Sequence, residues 1–354
     1  MTKQYYKILK DLKNSEAKKA YILPHKRADG DAIAASLGVY QILKELGKEA
    51  KILLSEELPA YLQTFSDLIV PRSEIVVYQK PGELKIEEDY LAFVVDCHSP
   101  DRLGERAEIY HGAKYLYCFD HHLSEQDLPE NFWVCPERAS AADMLAEVLL
   151  ALAAGTYPDI LPTIDLGPNL ATAVLMGIYS DTGGLRYSSS GAYVYHIAGD
   201  LRERGADLEL ISQELFAKHS LAAQRLKAKV LTDFCLNQSG KVAWVYVDYR
   251  SRLELAAKSE DFEGLANEML ATAGVQVAIL IRGLENDSLQ ISFRAKPPYN
   301  VQKIAALYGG GGHLQAAGLN LSPAQQREFF PGAKSVPEAL IKALVEAAEA
   351  QGLG

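Results

Sequence analysis

Residues 20–47, AYILPHKRADGDAIAASLGVYQILKELG, contain the pattern that decides the fold of the first half of this 354-residue chain. An apolar run at 20–25 precedes a polar turn, and apolar residues then recur at helical spacing as far as Gly47. A buried strand followed by a helix of this kind is typical of a parallel sheet with crossover helices. We therefore predict an α/β fold for this part of the chain.

The same alternation continues along the first half. Three further strands are predicted at KILLS (51–55), YLAFVVD (90–96) and KYLYCFD (114–120). Helices are predicted at SAADMLAEVLLALAAG (140–155) and at GPNLATAVLMGIYSD (167–181), where a proline suits the first helical turn. These elements predict an N-terminal parallel-sheet domain with flanking helices, which we place at residues 1–208.

The pattern changes after this domain. Residues 209–234 contain neither glycine nor proline and predict one long helical connector. Strands are predicted beyond it at 242–248, 275–281, 289–294 and 316–321, and the turn RGLENDS between two of them favours a hairpin. We therefore predict that residues 235–354 form a smaller α/β domain with a mixed sheet.

Composition limits the classes of function. The chain has 36 basic and 46 acidic residues, a formal charge of −10, which argues against a long grip on duplex DNA. No apolar stretch is long enough to span a membrane, and the N-terminus lacks the apolar core of a signal peptide. The four cysteines form no CxxC pair, so we expect reduced thiols and a cytoplasmic location.

Acids and histidines cluster where the predicted strands end. His25, Asp96 and Asp120 lie at the carboxyl ends of the first, third and fourth strands, which border one crevice in an open parallel sheet. Nearby candidates are Asp29, Asp31, His121, His122 and Asp181. Any one of these acids alone suits a turn or a helix cap better than a ligand role. Together they predict a single polar site.

Several carboxylates in one crevice need cations, because two like charges about 4 Å apart cost roughly 4 kcal/mol at an effective dielectric of 20. Four aspartates are balanced by two divalent ions. Mixed imidazole and carboxylate donors without thiolates favour Mn²⁺, Mg²⁺, Fe²⁺ or Zn²⁺, and the histidines favour manganese over magnesium. Two such ions would activate water for attack on a phosphoryl group.

A second candidate site lies in the C-terminal part, at GGGGHLQAAG (309–318). One glycine is enough to end a helix, so four in succession predict a backbone that approaches an anion closely. His313 and Arg294 could add positive donors, and Asn300 could cap the preceding helix. The alternative is a flexible surface loop.

At this point the motifs resemble a known family. HKRADGDA, the aspartate of VVDCHSPDRLG, FDHH and YSDTGG are similar, in this order, to the four motifs of the DHH phosphoesterases. SFRAKPPYNVQKIAALYGGGGHLQAAG resembles the accompanying DHHA1 domain. The size resembles stand-alone members: nanoRNases, pAp phosphatases and dinucleotide phosphodiesterases. Arg27-Ala28 and Ala35 depart from the common pattern at positions that are not ligands.

The resemblance implies a role for each position. His25, Asp29 and Asp96 would hold one metal ion, and Asp31, Asp96, His121 and Asp181 the other, with Asp96 as the bridge. His122 would contact the scissile phosphate or the leaving oxygen, and Asp120 would orient a histidine. The residues that would grip a substrate phosphate or nucleotide end are Arg294, Gly310, Gly311, Gly312 and His313.

The implied activity is that of a metal-dependent hydrolase, a phosphodiesterase and phosphatase acting on very short oligonucleotides, linear dinucleotides or pAp. Manganese is the expected cofactor, with magnesium as the other choice. Three alternatives stay open: a cyclic-dinucleotide phosphodiesterase, an inorganic pyrophosphatase and a non-catalytic nucleotide- or RNA-binding protein. The resemblance also leaves a homodimer open.

Overall fold

The computed structural model describes residues 4–80, 86, 88–124, 127–187, 189–218 and 220–352. The chain divides into two compact units, Met1–Lys218 and His219–Gly354. The division falls inside the segment predicted as the connector, ten residues beyond the predicted end of the first domain. Each unit is built around its own sheet. The α/β class predicted for the chain is confirmed.

The first unit contains a six-stranded sheet in the order β3-β2-β1-β4-β5-β6, in which all neighbouring strands are parallel. Its strands are β1 (Lys19–Pro24), β2 (Glu49–Leu54), β3 (Ile75–Val77), β4 (Leu91–Val95), β5 (Tyr115–Asp120) and β6 (Phe132–Val134). The four long strands are those that the sequence predicts. The edge strands β3 and β6 have three residues each, too few for a periodic pattern.

Helices cover both faces of this sheet. They are α1 (Gln4–Asn14), α2 (Gly30–Glu45), α3 (Ala60–Ser66), α4 (Ala107–Gly112), α5 (Ala141–Ala153), α6 (Pro168–Thr182), α7 (Ala192–Glu203) and α8 (Leu208–Ser212). Alternate strand residues point to opposite faces: Ile22 and Phe93 pack in the larger core with α2, α5 and α6, and Leu23 and Val94 pack in the smaller one. None of the helices in the described ranges is long and apolar enough to cross a bilayer.

Helices α2, α5 and α6 approach one another closely because small residues line their contact. A Cβ on Gly177 of α6 would lie 2.3 Å from the Cβ of Ala34 and 2.8 Å from the Cβ of Ala142. A Cβ on Gly30 would lie 2.6 Å from the hydroxyl oxygen of Ser180. This packing brings the start of α2, the start of α5 and the end of α6 to one edge of the sheet.

The loop after β4 is hydrogen-bonded both to β2 and to the loop that follows β1. Arg106, which is fully buried, donates from Nε to the Leu103 carbonyl and from Nη1 to the Leu53 carbonyl at 2.6 Å. The Lys26 amide, in the loop after β1, donates to the Arg102 carbonyl at 2.7 Å. Burial lowers the pKa of Arg106 to about 10. The loops that follow β1 and β4 are therefore joined to each other.

The predicted single connector helix is wrong. Helix α8 passes into a turn of π-helix, Gln213–Ala217, and Lys218 leaves the helical conformation with φ −95° and ψ 90°. Helix α9 (Leu221–Asp233) then starts afresh, with the Ser220 hydroxyl accepting a hydrogen bond from the Ala223 amide. A serine in mid-segment is an N-cap signal, which the absence of glycine and proline concealed.

The second unit contains a six-stranded mixed sheet in the order β11-β12-β10-β9-β8-β7. Its strands are β7 (Cys235–Leu236), β8 (Val242–Val247), β9 (Val277–Gly283), β10 (Leu289–Ala295), β11 (Gly311–Gly312) and β12 (Ala316–Leu321). Strands β8 and β9 are parallel, whereas β9 and β10 form the predicted antiparallel hairpin. After α9, the helices of this unit are α10 (Tyr249–Glu254), α11 (Leu265–Leu270), α12 (Val301–Ala306), α13 (Pro323–Phe329) and α14 (Val336–Glu349).

Candidate metal centre

The centre forms at the point where the strand order of the first sheet reverses. Strands β1 and β4 are neighbours there, and their carboxyl ends are followed by His25 and Asp96. Asp96 has φ +57°, a left-handed conformation that is uncommon outside glycine and is held by the surrounding structure. Its amide donates to the Phe119 carbonyl of β5 at 2.9 Å, which fixes the turn. Asp96 is buried.

The first group of possible ligands consists of His25, Asp29 and Asp96. Nε2 of His25 lies 3.2 Å from an oxygen of Asp96 and 3.7 Å from an oxygen of Asp29. Nδ1 of His25 lies 2.8 Å from the Lys26 carbonyl and therefore donates to it, which leaves Nε2 as the ligand atom. Burial alone would lower the pKa of His25, but hydrogen bonds to Asp29 and Asp96 raise it to about 10.

The second group consists of Asp31, His121 and Asp181. Nε2 of His121 lies 3.4 Å from oxygens of Asp181 and of Asp96 and 3.8 Å from an oxygen of Asp31. Burial would lower the pKa of His121, but the carboxylates of Asp181 and Asp96 raise it to about 12. Burial raises the pKa of Asp181 to about 6, against the opposing effect of His121.

Asp31 is held by the beginning of another helix. Its two carboxylate oxygens accept hydrogen bonds from the amides of Ala141 and Ala142, both 2.7 Å long, in the first turn of α5. Burial and the charges of Asp181 and Asp96 raise the pKa of Asp31, whereas amide donors at a helix N-terminus favour the charged form. The carboxylate of Asp31 is therefore fixed in position next to the other members of its group, His121 and Asp181.

An oxygen of Asp96 indicates what the two groups could hold. Oδ1 of Asp96 is buried and has no hydrogen-bond partner among the described residues, although it lies 3.4 Å from Nε2 of His121. A buried carboxylate oxygen without a donor is costly unless a cation satisfies it. Oδ2 of Asp96 lies 3.2 Å from Nε2 of His25 and Oδ1 lies 3.4 Å from Nε2 of His121, one histidine of each group, and the candidate ligand atoms of both groups are imidazole nitrogens and carboxylate oxygens only. These residues fit a pair of divalent cations sharing Asp96.

Asp120 lies behind the two groups and links two further histidines. One of its oxygens accepts from Nδ1 of His122 at 2.8 Å, and the other accepts from Nδ1 of His98 at 2.6 Å. Burial would raise the pKa of Asp120, but these imidazoles lower it well below its usual range. Nδ1 of His122 carries the proton that it donates to Asp120 in this hydrogen bond, so this nitrogen is not available as a metal ligand. The expected orienting contact of Asp120 is thus present in the geometry.

His98 is the residue of this network that the sequence analysis does not single out. It lies two residues beyond Asp96, in a loop where a solvated histidine is the ordinary expectation. Its side chain is only 18% exposed because it packs onto Asp120. Only the contact with a residue 22 positions away reveals it.

The remaining candidates lie in the second unit. Arg294 is half-buried in β10, where it pairs with Ala316 of β12. His313 lies in the turn between β11 and β12, with hydrogen bonds in both directions between its backbone and that of Ala316. The sheet therefore places Arg294 and His313 at the same end of β12, the end at which that strand begins.

The glycine run is an edge strand rather than an open loop. Gly311 and Gly312 form β11 and pair with β12, and a Cβ on Gly310 would lie 2.4 Å from the Cβ of Leu319. The amides of Gly310 and His313 donate to the carbonyls of Ala305 and Ala316. The glycines thus permit close packing of the hairpin, and two of the amides expected to face an anion are used within the unit.

Comparisons with known proteins agree with this architecture. The family model described as the DHH family, N-terminal domain, matches residues 19–178, and that of the DHHA1 domain matches residues 237–339. A solved structure from Bacteroides fragilis, described as an exopolyphosphatase-related protein, has a TM-score of 0.81 at 23% identity and covers 98% of this chain and 95% of that chain. At that identity the likeness shows the fold alone.

Two curated relatives illustrate the range of similarity. A bifunctional oligoribonuclease and PAP phosphatase of Thermus thermophilus is 30% identical over 303 residues, which cover 85% of this chain and 83% of that protein. A cyclic-di-AMP phosphodiesterase of Geobacillus thermodenitrificans is 26% identical over 348 residues, 91% of this chain. The chain spans about half of that second protein, 49% of its length.

Proposed function

This chain belongs to the DHH family of phosphoesterases, and from that premise we propose that it hydrolyses very short oligonucleotides, linear dinucleotides and pAp. The relative from Thermus thermophilus supports this substrate class, since the match covers 83% of that protein. The match to the cyclic-di-AMP phosphodiesterase covers only 49% of its length, so that activity is the weaker choice. The acidic charge of −10 suits a short substrate held at a local site.

The observation that carries the proposal is the buried Oδ1 of Asp96, which has no donor among the described residues and lies among ligand-type side chains. In our assignment His25, Asp29 and Asp96 hold one divalent ion, and Asp31, Asp96, His121 and Asp181 hold the other. We assign manganese, because the set contains two imidazoles, with magnesium as the other choice. When bound, two such ions polarise the phosphoryl oxygens and make water more acidic.

The residues around the ligands have separate roles in this proposal. Asp120 holds the proton of His122 on Nδ1, so Nε2 is the nitrogen that can accept or return a proton at the ester oxygen. His98 shares Asp120 and keeps its carboxylate in place. In the second unit, Arg294, Gly310, Gly311, Gly312 and His313 present the surface that binds a substrate phosphate or nucleotide end.

The test is a hydrolysis panel. The purified protein is assayed with Mn²⁺ or Mg²⁺ on pAp, 5′-phosphorylated dinucleotides, RNA of graded length, a cyclic dinucleotide and pyrophosphate. We expect the shortest linear substrates and pAp to give the highest kcat/KM, with rates falling as the RNA lengthens. A preference for pyrophosphate, or equal rates on long and short RNA, would contradict the proposal.

A matched pair of variants assigns the activity to the centre. Asp96→Asn removes the charge shared by both groups, and we expect it to lower kcat by about 10³-fold, since metal catalysis contributes several kcal/mol. Asp200→Asn changes an exposed aspartate on α7 and should leave the rate within about twofold. Equal rates for wild type and Asp96→Asn would mean that another protein in the preparation is responsible.

A further inference from the structure

Six residues beyond Asp181, a candidate ligand of the metal centre, the chain presents an aromatic ring on a tightly held loop. Helix α6 ends at Thr182, one residue after Asp181, and Gly183 follows with φ +58° as the C-cap. A Cβ at Gly183 would lie 2.5 Å from Cζ of Tyr187, so the phenol ring lies directly against the glycine backbone. Tyr187 is nevertheless 51% exposed.

Several hydrogen bonds hold this loop to the end of α6. The amides of Arg186 and Tyr187 donate to the Thr182 carbonyl at 2.9 and 3.1 Å, and the Leu185 amide donates to the Thr182 hydroxyl at 3.0 Å. Leu185 has φ +65°, and the Tyr195 hydroxyl holds its carbonyl with a hydrogen bond of 2.7 Å. The ring of Tyr187 is thus placed in advance, which reduces the entropy lost when a ligand binds to it.

A positive charge accompanies the ring. Arg186 is exposed, donates from Nε to the Gly183 carbonyl, and places its guanidinium 5.7 Å from the centre of the Phe216 ring. An exposed aromatic face next to an arginine is the combination that binds single-stranded nucleotides, because every base has a π-face and every nucleotide carries a phosphate.

We propose that Tyr187 is a nucleobase-stacking site that receives a base of the nucleotide bound at the metal centre. We choose a base rather than a protein or a lipid as the occupant because Tyr187 follows the candidate ligand Asp181 by six residues, on a loop that is hydrogen-bonded to the end of the same helix. This inference rests on the proposed function, since a substrate without a base would have no use for the ring. Stacking is tolerant of sequence, so the site favours nucleotides over bare phosphoesters without selecting one base.

The test measures binding, so that it does not depend on turnover. Affinities for AMP and for ribose 5-phosphate are measured by calorimetry with Mn²⁺ on wild type, Tyr187→Leu and Tyr187→Phe. We expect wild type and Tyr187→Phe to bind AMP roughly 5- to 150-fold more tightly than ribose 5-phosphate, the range that one stacked base contributes. In Tyr187→Leu this ratio should fall close to one, while affinity for ribose 5-phosphate stays unchanged.

Two results would overturn the stacking site. One is an unchanged ratio of AMP to ribose 5-phosphate affinity in Tyr187→Leu. The other is a loss of bound manganese in Tyr187→Leu, which would mean that the ring acts by supporting Asp181. Failure of wild type to hydrolyse any dinucleotide would count against the proposed function instead, and the binding ratio would still decide the role of Tyr187.

Discussion

At the scale of single residues, the candidate metal centre is a set of charges that oppose one another. Without cations, the carboxylates of Asp29, Asp96 and Asp181 are balanced by protonated His25 and His121, whose pKa values rise to about 10 and about 12. The imidazoles of His121 and His25 in turn hold the pKa of Asp96 at about 2, against the effect of burial. Protons and metal ions therefore compete for one set of nitrogens.

This competition predicts proton release on metal binding. At pH 8 both histidines are protonated in the metal-free protein, because their raised pKa values lie above 8. Ligation needs the neutral imidazole, so we expect addition of Mn²⁺ to release about two protons per chain, with apparent affinity rising as pH rises. Titration calorimetry in buffers of different ionisation enthalpy measures this number. A value near zero would contradict ligation by His25 and His121.

The position of the candidate metal centre could be predicted because acidic residues and histidines recur at the ends of the predicted strands. Aspartates and histidines at strand ends predicted that these side chains come together, because the ends of parallel strands meet at one edge, and the structure brings them within reach of one another. His98 and Tyr187 could not be predicted, since each acquires its role only from a neighbour placed by the fold, Asp120 for the one and Gly183 for the other. An isolated histidine or tyrosine in a loop has no pattern of its own.

At the scale of elements, helix α5 supports a candidate ligand, Asp31, that it does not contain. Ser140 is its N-cap, and a capping box with Asp143 fixes the first turn, from which Ala141 and Ala142 donate to Asp31. Arg138 forms ion pairs with Asp143 and Glu147, so its positive charge offsets the negative charge of Asp143 in the first turn of the helix. The geometry of Asp31 thus depends on a helix more than 100 residues along the chain.

Removing the cap should affect both stability and metal binding. We expect Ser140→Ala to lower the free energy of unfolding by about 0.5–2 kcal/mol and to weaken Mn²⁺ binding about 10- to 100-fold, as loss of a supporting contact does. Ser220→Ala removes the equivalent cap of α9 and serves as the control, with a similar stability loss and unchanged Mn²⁺ affinity. If both variants bind Mn²⁺ like wild type, α5 does not position Asp31.

Long elements with a clear period were predictable, and short or edge elements were not. The strands β1, β2, β4 and β5 are buried apolar runs, and α2, α5 and α6 follow helical spacing. The break between α8 and α9 went unpredicted because nothing in residues 209–234 forbids a helix, and the cap at Ser220 competes only weakly with continued helix. In this segment the preference for a continued helix and the preference for a new helix start at Ser220 were too similar for the sequence to indicate the break.

At the scale of the whole molecule, the chain consists of two units with separate cores, and the proposed metal ligands all belong to the first. The change of pattern after residue 208 predicted two domains, and the length of 354 residues agrees, because a single core stops growing beyond about 250–300 residues. The position of the boundary was less predictable, since the segment that joins the units carries no glycine or proline. Composition indicated the class of protein but not where one core ends.

Metal binding should therefore stabilise one unit selectively. With free Mn²⁺ at about 100 times its Kd, we expect the free energy of unfolding of the first unit to rise by about 2.7 kcal/mol. This corresponds to a rise in its Tm of roughly 5–10 °C. Differential scanning calorimetry with Mn²⁺ and with a chelator should move one transition and leave the other in place. Asp181→Asn should abolish the movement. A shift of both transitions by equal amounts would place the binding energy elsewhere.

The buried guanidinium of Arg106 has a mechanical consequence. It joins the segment after Asp96 to the end of β2, while the Lys26 amide joins that same segment to the one bearing His25. The two loops that carry the candidate ligands His25 and Asp96 are thereby hydrogen-bonded to each other and to the end of β2. Moving one loop away from the other would break the bond between Lys26 and Arg102, so these bonds favour a constant spacing between His25 and Asp96.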